Sequence, residues 1–132
     1  GGGSTELIIG ERFTPLALTS RKMGCVTFHK QFFTNGKLSD KNFNAAILEG
    51  LHQLEPILTQ YQQLGWESCL GSSGSIKAVR ELLVAHDDDG VITLSQLEQL
   101  KSRMIAQKRI EQLDLPGLTE DRRPLIAAGV AF

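Results

Sequence analysis

Apolar residues recur at steps of three and four between residues 43 and 64, which predicts one long amphipathic helix. Ser39, just before this pattern, is a residue type that caps helix N-termini, and Gly65, just after it, is a type that ends helices. Pro56 lies inside the pattern and is expected to bend the helix, because proline has no N–H to donate. The predicted apolar stripe consists of Phe43, Ile47, Leu51, Leu54, Leu58, Tyr61 and Leu64.

Shorter apolar runs precede this helix. Residues 5–9 and 16–20 are typical of two β-strands, and residues 10–15 between them fit a hairpin connection. Residues 23–28 are expected to continue as an extended segment before the turn at Asn35-Gly36. The chain therefore begins with a predicted β-hairpin.

The second half predicts a short strand at residues 67–70, a Gly/Ser loop at 71–75 and then a helix. A further helix opens at Thr93, which has capping-box spacing to a glutamine three residues later. Residues 115–117 break the chain, and Thr119 is expected to cap a last segment. The order of hairpin, helix, strand and three helices favours an α/β fold with a mixed sheet.

Composition narrows the class of protein. The 132 residues fit a single domain, and their net charge of −1 argues against a broad basic surface for nucleic acid. No apolar run approaches the length of a membrane span, and no signal peptide is recognised. Cys25 and Cys69 are expected to be reduced structural thiols. We therefore expect a cytoplasmic protein with no nucleic acid partner and no transmembrane segment.

The first candidate for chemistry is the start of the chain. Glycine lets backbone N–H groups close on a phosphate because it has no Cβ, and serine and threonine add hydroxyl donors. A glutamate adds the carboxylate oxygens that Mg²⁺ prefers. The same composition is also typical of a flexible linker, and the residues alone leave that alternative open. The residues concerned are Gly1, Gly2, Gly3, Ser4, Thr5 and Glu6.

A second Gly/Ser loop lies between the predicted strand at 67–70 and a helix. A strand–loop–helix turn directs N–H groups and the helix dipole at an anion, although a simple tight turn is the alternative. Lys77 could add positive charge, and Arg21 and Lys22 could reach a polyanion, although all three also fit a solvated surface. The loop consists of Gly71, Ser72, Ser73, Gly74 and Ser75.

Several familiar sites do not fit. No glycine satisfies the Walker pattern, and neither cysteine is followed six residues later by the arginine of a cysteine phosphatase. Residues 87–90 resemble the core of a calcium loop, but both end ligands are missing, so a polar turn is expected. The three histidines, His29, His52 and His86, are isolated, and we expect surface or capping roles for them.

Four segments together resemble the exopolyphosphatase and guanosine pentaphosphate phosphohydrolase family, in order along the whole chain. The segment at 71–78 resembles the exopolyphosphatase branch more closely, whereas those at 1–7 and 20–28 do not separate the branches. The four are Gly-Gly-Gly-Ser-Thr-Glu-Leu (1–7), Ser-Arg-Lys-Met-Gly-Cys-Val-Thr-Phe (20–28), Gly-Ser-Ser-Gly-Ser-Ile-Lys-Ala (71–78) and Leu-Pro-Gly-Leu-Thr-Glu-Asp-Arg (115–122).

The resemblance implies the fold of the actin-like superfamily, in which two ribonuclease H-like domains face each other across a cleft. Residues 1–132 would then form an incomplete second domain, with the first domain and a C-terminal part of the enzyme lying outside this chain. The enzymes of the family hydrolyse the terminal phosphate of inorganic polyphosphate or guanosine pentaphosphate with Mg²⁺. A homodimer is expected for the intact enzyme.

Carried over to this chain, the resemblance implies that residues 1–5 bind phosphate and that Glu6 holds or orients the metal. Residues 71–75 would line the opposite wall of the cleft. The family's water-activating glutamate lies in the first domain, so no catalytic residue is assigned here and the chain alone is expected to have little or no activity. Residues 127–129, Ala-Ala-Gly, depart from the proline and glycine usual in the family.

Two other functions remain open. The missing base also fits a non-catalytic domain that senses polyphosphate or a nucleotide through the same loops. A phosphotransferase of the same superfamily would need an acceptor pocket, for which the sequence gives no sign.

Overall fold

The computed structural model describes residues 2–86 and 89–132, which form a two-stranded sheet and helices in an α/β arrangement. The strands are β1 (Thr5–Glu11) and β2 (Thr14–Arg21). The α-helices are α1 (Cys25–Phe32), α2 (Asp40–Leu64), α3 (Gly74–Ala85), α4 (Leu94–Gln107) and α5 (Ile126–Ala131), and short 3₁₀ helices lie at Ile110–Gln112 and Arg123–Leu125.

The two strands form the predicted hairpin, with longer strands and a tighter turn than expected. They pair antiparallel, with Glu6 opposite Ser20, and the register shifts between Ile9 and Gly10. Arg12 adopts a φ of 59°, a left-handed conformation that reverses the chain within two residues. The register matters for function because it fixes which side chains lie opposite Glu6.

The expectation of an extended segment at residues 23–28 is wrong, because α1 begins at Cys25. Cys25 and Phe28 lie one helical turn apart and are both buried, so the helical conformation places them on one face against the core. A run of six residues is too short to show whether its apolar spacing is that of a helix or a strand.

The long helix α2 begins and ends where the sequence predicts. The Ser39 hydroxyl accepts a hydrogen bond from the Asn42 N–H at 3.2 Å, and Gly65 follows the last turn with a φ of 65°. Pro56 lies within the helix without ending it. No helix in the described part of the chain is long and apolar enough to cross a membrane.

The predicted stripe of α2 is only partly buried. Phe43 and Tyr61 are buried, but Leu51, Leu58 and Leu64 are between 45% and 61% exposed. The residues of α2 that are buried are those covered by the elements packed against this helix. The covered face includes the small residues Ala46 and Gly50. Hydrophobicity alone therefore assigned too many leucines to the core.

Residues 67–70 do not form the expected strand, and they are exposed. A strand is stable only beside a partner that accepts its backbone hydrogen bonds. Among the described residues the sheet contains β1 and β2 alone, so it is antiparallel and not mixed.

The cap of α4 confirms the predicted start of that helix, whereas α3 begins at Gly74, inside the segment predicted as a loop. The Ser73 hydroxyl accepts from the Ile76 N–H at 3.1 Å. Thr93 and Gln96 form a complete capping box, in which the Thr93 N–H donates to the Gln96 side chain at 2.9 Å. The predicted acidic turn at 87–90 falls partly on residues 87 and 88, which lie outside the described residues.

The C-terminal segment turns at Gly117, whose φ is 87°. A Cβ at this position would lie 2.8 Å from the Glu81 carbonyl oxygen, so only glycine allows this close approach to α3. The Thr119 carbonyl accepts from the N–H groups of Arg122 and Arg123, which forms a turn before the last helical segment. Thr119 is not the cap that the sequence predicts, because Arg122 is the residue at the N-terminus of the 3₁₀ helix.

The main core is built around α5, which packs against α1, α2, α3 and α4. Ala127 and Ala128 of this helix are completely buried. A second, smaller core joins the inner face of the hairpin to α2, where the Tyr61 hydroxyl donates to the Leu7 carbonyl at 2.8 Å. Its buried residues are Ile9, Ala17, Ile57 and Tyr61.

Two phenylalanines give a matched test of this core. Phe43 is fully buried with its ring centroid 5.1 Å from that of Phe33, whereas Phe13 at the hairpin turn is fully exposed. We expect Phe43→Ala to lower the free energy of unfolding by about 3–5 kcal/mol, and Phe13→Ala to change it by less than about 0.5 kcal/mol. Urea unfolding followed by circular dichroism measures both, and equal losses would contradict the assigned core.

Candidate functional site

The loop that precedes β1 is tied to the start of α1. The N–H groups of Val26 and Thr27 donate to the Gly2 carbonyl at 3.0 and 3.2 Å. The Thr5 hydroxyl donates to the Met23 carbonyl at 2.6 Å. Residues 2–5 are therefore held at both ends, which a flexible linker would not be.

This anchoring sets the direction of one loop amide. In a planar trans peptide the C=O and the N–H point in opposite directions. Because the Gly2 carbonyl points at α1, the Gly3 N–H points away from that helix. Gly2 and Gly3 are both exposed, so the outer side of this peptide is open to an anion.

Gly2 lies close to the Val26 side chain. A Cβ on Gly2 would lie 3.1 Å from Cγ2 of Val26, whereas one on Gly3 would meet nothing closer than 3.9 Å. A side chain at position 2 would therefore require Val26 to shift by a few tenths of an ångström. The predicted residue Gly1 lies outside the described residues.

Glu6 extends from the first residues of β1 with its carboxylate exposed. Ser4 Oγ donates to Glu6 Oε1 at 2.7 Å, and Ser20 Oγ donates to the same oxygen at 3.0 Å. Hydrogen bonds from Ser4 and then Ser20 lower the pKa of Glu6 from its ordinary value, because they stabilise the ionised form. The carboxylate is thus held in one orientation and in its charged state.

Ser20 is a site residue that was not predicted. The hairpin register alone could have found it, because Ser20 is the residue paired with Glu6 across the sheet. Arg21, one residue further, contacts α2 instead, where Nη2 donates to Gln53 Oε1 at 3.2 Å. The predicted contact of Arg21 with a polyanion is therefore not supported by its position.

The second loop runs directly into α3. Gly74 and Ser75 already belong to the first turn of that helix, and Ser73 is its N-cap. Gly71 lies against Ile76, since a Cβ on this glycine would be 2.6 Å from Ile76 Cδ1. The loop is therefore shorter and more tightly packed than its composition indicates.

Arg122 lies over the first turn of α3 and was not identified as a site residue from the sequence. A Cβ on Gly74 would be 2.7 Å from Arg122 Cζ, so glycine makes room for the guanidinium. Arg122 is partly buried and, with Lys77, lines a cavity of about 200 Å³ beside this turn. The sequence feature that could have identified Arg122 was its place as the last residue of the segment 115–122, one of the four that resemble the family.

Each loop thus lies at the N-terminus of a helix, and both helices, α1 and α3, pack against α5. Among residues 2–86 and 89–132, no group of three or more His, Cys, Asp or Glu side chains is placed to hold a metal ion. The arrangement offers backbone and hydroxyl donors, one oriented carboxylate and one arginine.

The sequence profile described as the Ppx/GppA phosphatase family matches residues 1–132. The chain belongs to this family. It is 47% identical over 132 residues to the guanosine-5'-triphosphate,3'-diphosphate pyrophosphatases of Aliivibrio fischeri and Vibrio cholerae, and it spans 27% of the length of each. The chain therefore covers about a quarter of these Ppx/GppA relatives.

The structure is similar to that of an exopolyphosphatase from Cytophaga hutchinsonii, with a TM-score of 0.76 over 99% of this chain and 45% of that one. The sequences are 20% identical, so this likeness concerns the fold. It shows that this Ppx/GppA chain has the α/β fold of the matching part of that exopolyphosphatase.

The hydrogen bond from Ser4 predicts how Glu6 titrates. We expect the Glu6 carboxyl carbon to titrate below the ordinary range of a glutamate in NMR spectra, and Ser4→Ala to raise its pKa. Because the pKa is lowered on folding, this contribution to stability is present above the unfolded pKa and is lost as the pH falls through the folded one. Glu111, whose pKa is lowered by Arg109, is an internal control and should not move.

Proposed function

We propose that this chain supplies the phosphate-binding part of a phosphoanhydride hydrolase that removes the terminal phosphate from guanosine pentaphosphate or inorganic polyphosphate. The observation that carries the proposal is the anchored loop at residues 2–6. There the Gly2 carbonyl is bound by α1, and the Gly3 N–H faces outward beside an oriented carboxylate. Hydrolysis of a phosphoanhydride depends mainly on positioning and charge neutralisation, and these groups are suited to both.

Residues 1–5 would bind phosphate oxygens through backbone N–H groups and through the hydroxyl of Ser4. The hydrogen bonds from α1 to the Gly2 carbonyl and from the Thr5 hydroxyl to the Met23 carbonyl already restrict the loop. The loop therefore loses less conformational entropy when it binds phosphate. Thr5 uses its hydroxyl proton for this tie, so it contributes to the position of the loop and offers phosphate only its N–H.

Glu6 would hold Mg²⁺, for which its position is suitable. Both serine hydroxyls donate to Oε1, so, as far as residues 2–86 and 89–132 are concerned, Oε2 is available for a cation. Mg²⁺ in phosphoryl-transfer sites is commonly held by one or two carboxylates, with phosphate oxygens and waters as the other ligands. When bound, the ion neutralises charge that develops on the phosphate.

Residues 71–75 and Arg122 would form the second wall of the cleft. Ser73 uses its hydroxyl oxygen to cap α3, while Arg122 places a fixed positive charge over Gly74. A guanidinium binds phosphate through two parallel hydrogen bonds, which gives direction as well as charge. This wall would hold the part of the substrate that is not hydrolysed.

We propose that residues 1–132 are an incomplete second domain of a two-domain enzyme, and that the water-activating base is supplied by the first domain. The length of the curated relatives supports this, since the chain spans 27% of them. A homodimer of the intact enzyme remains part of the proposal. The isolated chain is then expected to bind phosphate without hydrolysing polyphosphate.

The two substrates have support from different observations. The relatives that are 47% identical are named guanosine-5'-triphosphate,3'-diphosphate pyrophosphatases, which favours guanosine pentaphosphate. The segment at 71–78 resembles the exopolyphosphatase branch, which favours polyphosphate. Comparing kcat/KM for the two substrates in one full-length protein that carries this chain would decide between them.

Glu6→Gln tests the metal role in that full-length protein. The substitution keeps the size of the side chain but removes its charge, so we expect the loss of at least about 100-fold in Mg²⁺-dependent phosphate release. Glu11→Gln, at the exposed end of the same strand, is the matched control and should leave turnover unchanged.

Unchanged Mg²⁺-dependent turnover in Glu6→Gln would show that the metal role is wrong. A wild-type full-length protein that binds polyphosphate but releases no phosphate would instead favour the non-catalytic sensor. Release of phosphate by the isolated chain would show that the base lies within residues 1–132.

Arg122→Ala tests the second wall. We expect KM for substrate to rise roughly tenfold, because a charge-assisted hydrogen bond to phosphate is lost. Arg80→Ala is the control, since Arg80 lies on α3 but pairs with Glu81 on the exposed surface at 3.8 Å. An equal change in both variants would show that Arg122 has no specific contact with substrate.

A further inference from the structure

Ser4 and Ser20 both donate a hydrogen bond to the same carboxylate oxygen of Glu6, Oε1. The two bonds come from different parts of the hairpin: Ser4 precedes β1, whereas Ser20 lies within β2. A single bond would have been enough to orient one oxygen. The second hydrogen bond to Oε1 is therefore expected to have a purpose in the site.

The number of protons on a hydroxyl gives a reason for the second hydrogen bond. A serine has a single O–H proton, so Ser4 cannot donate to Glu6 and to a phosphate oxygen at the same time. If Ser4 turns toward phosphate, as the proposed function requires, its bond to Glu6 is lost. Without a second donor, the carboxylate would then be free to rotate at the moment when it has to hold the metal.

Ser20 is placed so that phosphate binding leaves its bond intact. Its backbone is paired with Glu6 across the hairpin, so both residues are held by the same ladder of hydrogen bonds. Ser4 instead belongs to the loop, where the neighbouring glycines would contact the phosphate under the proposed function. The bond from Ser20 thus joins two residues of the rigid element, as a positioning contact should.

We propose that Ser20 is a positioning residue for Glu6. The Ser20 hydroxyl keeps Oε1 of Glu6 in place when the Ser4 hydroxyl leaves the carboxylate and donates to the bound phosphate instead. This inference rests on the proposed function, since it assumes that Glu6 binds the metal and that Ser4 contacts phosphate. It assigns to Ser20 a role that depends on whether phosphate is present. A serine that only stabilises the hairpin would have no such dependence.

The test compares Mn²⁺ binding to the full-length protein that carries this chain, with and without inorganic phosphate. Electron paramagnetic resonance reports bound Mn²⁺, with free Mn²⁺ corrected for its complex with phosphate. Ser20→Ala should weaken Mn²⁺ binding by about twofold without phosphate, when Ser4 still holds Glu6. With saturating phosphate the loss should grow to roughly tenfold, because a hydrogen bond to a charged group is then lost entirely.

Two further variants make the result specific. Ser20→Thr keeps a hydroxyl at a strand position that suits a β-branched residue, so it should restore binding. Thr14→Ala, at an exposed position of the same strand, should match the wild type under both conditions. In steady-state assays Ser4→Ala should mainly raise KM, whereas Ser20→Ala should mainly raise the Mg²⁺ concentration needed for half-maximal rate.

The outcomes separate this inference from the proposed function. If Glu6→Gln binds Mn²⁺ as well as the wild type, the metal role itself is wrong and the role of Ser20 is wrong with it. If Glu6→Gln no longer binds Mn²⁺ but Ser20→Ala weakens Mn²⁺ binding by the same small factor with and without phosphate, only the phosphate-dependent role of Ser20 is overturned. A loss that grows with phosphate and is restored in Ser20→Thr supports it.

Discussion

The packing of α5 is the constraint on which the rest of the structure depends. Ala127 and Ala128 have no solvent exposure, and their small side chains let this short helix contact the four other α-helices. Close packing of this kind leaves little freedom in the angle or position of its neighbours. The starts of α1 and α3 are fixed in this way, and each of these starts carries one Gly/Ser loop. The core therefore determines the site by positioning two helix N-termini.

Both helix N-termini already have protein partners. The Gly2 carbonyl accepts from the first N–H groups of α1, and the Ser73 hydroxyl accepts from one of α3. The unsatisfied donors that usually make a helix N-terminus bind anions are thus partly used within the fold. Under the proposed function, the donors offered to phosphate would come from the loop peptides, and the positive charge would come from Arg122 and from the metal that Glu6 would hold.

Helix ends and the hairpin were predictable because their signals are local. Ser39, Gly65 and the Thr93–Gln96 capping box act through hydrogen bonds within a few residues, so the sequence contains the whole interaction. The extended segment at 23–28 and the strand at 67–70 were wrong, because each depends on what lies beside it. Residues 25–28 become helical to bury two side chains together, and residues 67–70 have no neighbouring strand among those described.

The same division applies to the site. The sequence by itself determined the two loops, the carboxylate of Glu6 and membership of the family, because glycine, hydroxyl and carboxylate residues occur there in a recognisable order. Only the tertiary structure decided that Ser20 contacts Glu6 and that Arg122 lies over Gly74. These pairs are 14 and 48 residues apart. Contacts at such separations are set by sheet register and helix packing, which a local pattern does not contain.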